Sequence, residues 1–167
     1  MNDRPPLDAF TLPDAGRGAR AFALGQEILA TIPLARAMGL SISSYDGASL
    51  TMAAPLAPNI NDKGCAFGGS LASVMTLAGW SLVRLALDAR GAEGEIYVKD
   101  STIRYLAPVW QDFTTIAYVA DGDTFEDFFK AYDRRGKGRL HVYCSVPLPD
   151  GGDAAVLDAQ FVAIAKR

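Results

Sequence analysis

The chain has 167 residues, half of them hydrophobic, which suits one domain with a sizeable core. Its formal net charge is -3 and its isoelectric point lies near 5.1, so the basic face of a nucleic-acid binder is not expected. Two cysteines, Cys65 and Cys144, and one histidine, His141, argue against a disulfide framework and against multi-histidine metal sites, and no metal is expected.

The stretch MNDRPPLDAFTLPDAGRGAR is rich in proline, glycine and charge. It predicts a loosely ordered lead-in over residues 1–20, followed by a single domain over 21–167. It contains no basic region followed by an apolar run, so no signal peptide is read there and a cytoplasmic location is expected. FALGQEILATIPLARAMGL then carries Leu24, Ile28, Leu29, Ile32, Ala35 and Met38 near helical spacing. It reads as one helix, or as two short ones broken near Pro33. LSISSYDGASLTMAAPL has two alternating runs around Asp46-Gly47, a hairpin turn signal, which predicts strands at about 40–46 and 48–56.

NINDKGCAFGGS follows as a loop. From Ala66 to Val83 no residue is charged across 18 positions, the lower edge for a membrane span. Small residues are spread through that run, and a helix apolar on all sides fits equally well as the core of a soluble fold, which is the reading preferred. EIYVKDSTIRYLAPV predicts a long strand ending at Pro108, and FTTIAYVADGD another. TFEDFFKAYDRRGKGR predicts a short helix, capped by Asp123 or Thr124, with acids in its first turn and Arg134 and Arg135 in its last. LHVYCSVPLP and AAVLDAQFVAIAK complete the strands. One long helix against a mostly antiparallel sheet is an α+β architecture.

Two stretches, PNINDKGCAFGGSLASVMTLAGW and VKDSTIRYLAPV, resemble the hotdog-fold acyl-thioesterases. They are most similar to a bacterial branch found alone or attached to an acetyltransferase domain. The resemblance covers roughly residues 25–167. It implies a curved sheet wrapped around the long helix, and a homodimer or dimer of dimers with active sites shared between protomers. The implied substrate is a small-molecule acyl thioester, with coenzyme A entering as part of the substrate and no separate cofactor.

The chemistry expected of such a site rests on few residues. Gly68 and Gly69 would let a ligand oxygen approach the free N–H groups at a helix N-terminus, or would serve only a tight turn and close packing. Asn61 stands where many relatives position a water, but it could equally shape its loop, as Asn59 is expected to do. Many relatives have His directly before the glycine pair, where this chain has Phe67. Many carry a carboxylate two turns into the helix, where this chain has Thr76, which cannot act as a base but could orient a water or simply bond back to the helix.

Asp100 is the replacement base expected. Strict strand alternation puts it on a face with Val98 and Thr102, turned toward protein, where burial would make it a competent base unless it forms a structural ion pair. The same parity turns Ser101 away. Arg134, Arg135 and Lys137 could meet the phosphates of coenzyme A or be a solvated face. A module that binds acyl-coenzyme A without hydrolysing it is the alternative function.

Overall fold

The computed structural model describes residues 16–166. Most of the expected lead-in lies outside the described residues. Helix α1 (Arg17–Thr31) begins five residues before Phe22, where the helical stretch was expected to start, and so takes in residues 17–20 of the expected lead-in; it buries Ala21, Leu24 and Ile28 along one stripe. The chain breaks at Ile32, which is extended, and Pro33 opens α2 (Pro33–Met38) from the first helical position, where its missing N–H is harmless. Of the two readings offered by the sequence, two helices is the observed one. Gly39 ends α2 with φ 69°, a left-handed conformation that favours glycine.

Strands β1 (Ser41–Tyr45) and β2 (Ser49–Ala54) form the expected hairpin. Asp46 holds its turn by accepting from the N–H groups of Ala48 and Ser49 at 2.9 and 2.7 Å. Helix α3 (Gly68–Ala89) is the long apolar helix. At 1.5 Å per residue its 22 residues run about 33 Å. By length and composition it could cross a bilayer, yet most of it is buried here against the sheet. At Gly79 the helix comes so close to the sheet that a Cβ would lie 2.8 Å from the Phe161 ring.

After α3 come β3 (Gly94–Tyr105), β4 (Phe113–Val119), α4 (Phe125–Arg135), β5 (Lys137–Pro147) and β6 (Asp153–Ala165). Thr124, rather than Asp123, caps α4, its hydroxyl accepting from the Asp127 N–H at 3.0 Å. Phe125, Phe128, Phe129 and Tyr132 are the buried face of α4. The six strands form one antiparallel sheet in the order β1-β2-β4-β5-β6-β3. Helix α3 touches β2, β4, β5, β6 and β3, so the sheet curls around it, as expected from the sequence. Strand β3 pairs on one side only, with β6, and leaves its other edge open among the described residues.

Candidate active site

The loop before α3 is held by its own polar groups. Asn59 is buried, and its amide donates to the carbonyls of Met38 and Pro55 at 2.9 and 2.7 Å, tying the loop to the end of α2. Asn61 accepts from the Lys63 N–H at 2.8 Å through its side-chain oxygen and donates to Cys65 Sγ at 3.2 Å. Both ends of the Asn61 side chain are therefore engaged inside the loop. Cys65 is a buried loop residue, and His141 is half-exposed on β5, paired with Asp123 at 3.3 Å.

This loop delivers the start of α3 without a side-chain cap. The capping position is Phe67, which has no acceptor to offer. Its carbonyl accepts from Ser70 and Leu71 at 2.9 and 3.0 Å. The N–H groups of Gly68 and Gly69 find no acceptor among the described residues, and both residues are partly exposed. Unsatisfied donors with the positive end of the helix dipole behind them favour an oxygen that carries or gains negative charge. Aromatic rings flank them. Tyr105 donates from its hydroxyl to the Gly68 carbonyl at 3.3 Å, and its ring would lie 3.4 Å from a Gly68 Cβ. The Phe67 ring occupies the space that a Gly69 Cβ would need. Glycine at both positions thus serves close packing as well as access to the donors.

Strand β3 corrects the strict-alternation reading. Val98 pairs with Phe161, but Asp100 pairs with Gln160, so one extra residue, Lys99, is inserted as a bulge. Phe161 faces α3, and directly paired residues point to the same side. Val98 therefore faces α3. Asp100 shares the opposite, outer face with Gln160, whose side-chain oxygen also accepts from Lys99 at 3.1 Å. Asp100 is exposed, so the burial that the sequence-based expectation required is absent. Ser101 pairs with the buried Ala159, so it shares the α3 side of the strand with Ile103, although its own side chain is exposed at the open edge. Its hydroxyl makes no hydrogen bond among the described residues. The consecutive charges of Lys99 and Asp100 were the available signal, because strict alternation would send one of them inward.

Thr76 is two turns into α3 and lines an apolar pocket of about 420 Å³ between α2, α3 and β3. Its hydroxyl makes no hydrogen bond among the described residues. The neighbouring Ser73 does bond back, to the Gly69 carbonyl at 2.8 Å. The same pocket takes in the partly buried Trp80, while Met75 is a fully buried core residue. Arg134, Arg135 and Lys137 are exposed where α4 meets β5. That is the end of the molecule where Arg90, just past α3, reaches Asp133 at 3.2 Å. They lie at the far end of α3 from the glycine pair.

Residues 22–165 match the model of the family described as "Putative thioesterase (yiiD_Cterm)". The chain belongs to this family. A solved structure entitled "putative thioesterase" from Shewanella oneidensis is 30% identical, with a TM-score of 0.78 over 88% of this chain and 99% of that one. A Chlorobaculum tepidum protein is also 30% identical, with a TM-score of 0.80 over 86% and 93% of the two chains. The PaaI protein of Escherichia coli, at 16% identity and a TM-score of 0.60 over 89% and 95%, shares the fold. The molecule has the hotdog fold, its antiparallel sheet wrapped around α3. Its inward-facing polar groups are hydroxyls. Between Gly68 and Leu87 the helix has no carboxylate, and the inner face of β3 after the bulge offers the Ser101 hydroxyl.

Proposed function

We propose that this thioesterase-family chain hydrolyses an acyl-coenzyme A, or the same acyl group on an acyl-carrier protein. The observation that carries the reading is the pair of unpartnered N–H groups of Gly68 and Gly69 beside an apolar pocket. The thioester oxygen accepts from these donors, water adds to the carbonyl carbon, and the carbon–sulfur bond breaks to release thiol and acid. Donors aimed at the oxygen gain strength as it becomes an oxyanion. Coenzyme A enters only as part of the substrate, and the scheme calls on no metal.

Two copies are part of this reading. Thr76 lies eight residues beyond Gly68, about 12 Å along the helix, too far for both to touch one carbonyl. Antiparallel pairing of two open β3 edges would set the Thr76 end of one copy against the glycine pair of the other. It would also bring Arg134, Arg135 and Lys137 of the second copy toward the glycine end of the first, on the side where coenzyme A phosphates would leave the site. The Ser101 and Thr76 hydroxyls then orient the attacking water. The outward Asp100 and the loop-bound Asn61 are left outside this set.

One observation favours a second reading. Hydroxyls orient water but do not take its proton near neutral pH, and the inner face supplies no carboxylate. An acyl-coenzyme A-binding module would look the same. Single-turnover thiol release from short, medium and long acyl-coenzyme A separates the two. The decisive variant is Gly68→Pro, which removes one donor at the first helical position, where proline is tolerated. Its thiol release is expected to fall about 100- to 1000-fold with the fold retained, at a small cost in melting temperature because the ring packs against Tyr105. Tight binding with no release in the native chain makes the binding module the better account.

A further inference from the structure

The pocket beside α3 has a composition that fixes the chemistry of its occupant. Its walls are Ile32, Leu34 and Met38 from the α1–α2 region, Leu77 and Trp80 from α3, and Phe161 from β6. Among the described residues no charged side chain lines it, and its polar side chains are Ser73 and Thr76. Ser73 is already bonded to the Gly69 carbonyl, which leaves one free hydroxyl in an apolar space. Leu34 and Val98 lie at the pocket with 59% and 44% of their surface exposed, an apolar rim. Trp80 is held in place. Its indole N–H donates to the Ile96 carbonyl at 3.2 Å, and the Arg84 guanidinium sits 5.9 Å from its ring centre.

We infer that this pocket takes a straight, uncharged acyl chain of medium length, and that Trp80 is the wall that ends it. At roughly 30 Å³ per water-sized unit, a volume of about 420 Å³ takes at most about fourteen carbons, and on the order of ten once the open mouth between Leu34 and Val98 is left to solvent. An acyl group with a charged far end would lose its hydration without finding a partner, so it is rejected. Each methylene that enters strengthens binding about three- to fourfold until Trp80 stops the chain. The inference rests on the thioesterase reading only for the identity of the head group. The pocket and its selectivity stand without hydrolysis.

The test reads Trp80 directly. The chain has two tryptophans, and Trp110→Phe leaves Trp80 as the sole indole. In that background, a ten-carbon fatty acid brominated at its terminal carbon is expected to quench the fluorescence. A four-carbon brominated acid and a ten-carbon dicarboxylic acid are expected to leave binding at least tenfold weaker. Trp80→Ala, which leaves no indole at the pocket and is therefore read by calorimetric titration with unlabelled acids, should move the preferred length up by a few carbons. Ala72→Leu narrows the pocket from a half-exposed position and should shorten it. Equal affinity for all three acids, the dicarboxylic acid being read by its competition with the brominated ten-carbon acid, or no quenching by that brominated acid, overturns the inference. So does an unchanged length preference in both variants. Chain-selective quenching without thiol release from the matching acyl-coenzyme A sinks the hydrolytic reading and keeps the pocket. Thiol release without chain-selective quenching does the reverse.

Discussion

One inserted residue decides which side chains reach the site. Lys99 shifts the β3 register, so Asp100 turns out and Ser101 turns in. Two variants separate the bulge from strict alternation. Ser101→Ala is expected to lower thiol release about tenfold, the scale of one lost hydrogen bond, without changing stability. Asp100→Asn is expected to leave release within about twofold, because an exposed carboxylate on the far face touches no reacting atom. A large loss in Asp100→Asn with none in Ser101→Ala would restore the aspartate as base. The glycine pair was legible in the sequence because backbone access needs only glycine before a helix. The side that a strand residue faces was not, because parity fails at a bulge and bulges carry a weak local signal. Asn61 was open between two roles for a similar reason. Only the folded loop shows that its amide is engaged by Lys63 and Cys65.

At the level of elements, helix caps, turns and periodicity gave the type and order of the helices and strands, with ends displaced by up to about five residues, as where β5 begins at Lys137 inside the stretch read as a short helix. These are local properties, and α4 shows why they sufficed. Thr124 supplies the cap, and four aromatic residues give one unmistakable buried face. What the sequence withheld is where α4 sits. It packs on β5 at Gly138, where a Cβ would meet the Phe128 ring at 2.7 Å and the Phe128 backbone oxygen at 3.0 Å. The backbone oxygen cannot swing aside. Gly138→Ala is therefore expected to cost about 1–3 kcal/mol in denaturant unfolding, and Thr124→Ala about 1 kcal/mol through the lost cap. The β1–β2 turn adds a pH dependence. Burial raises the Asp46 carboxyl, but the Ser49 and Ala48 N–H groups and the Ser49 hydroxyl outweigh it, holding it below the ordinary carboxylate value. A depressed group contributes stability that is present above its unfolded value and lost as pH falls through its folded value. Asp46→Asn keeps the acceptor and removes the charge, so its stability should fall less steeply than that of the native chain below the ordinary carboxylate range.

For the whole molecule, the open β3 edge and the length of α3 bear on the same question. A site that needs the start of α3 and a point two turns along it cannot close within one protomer. A site built from two copies makes a prediction that no single-chain site shares. Gly68→Pro and Thr76→Val each break a different half of the site. If each half comes from a different copy, a heterodimer of the two variants holds one intact site and one doubly broken site. Random reassortment makes half of the dimers mixed, so co-refolding the two impaired variants should recover about a quarter of the native thiol release. Each variant refolded alone keeps only its residual activity, about a tenth of native or less. Native-like masses for the mixed dimers with no recovery would place Gly68 and Thr76 in one chain's site, and the two-copy arrangement would fall while the oxyanion role of the glycine pair survived. Recovery near a quarter would show that hydrolysis depends on assembly. Activity should then fall with the square of protomer concentration below the dimer dissociation constant.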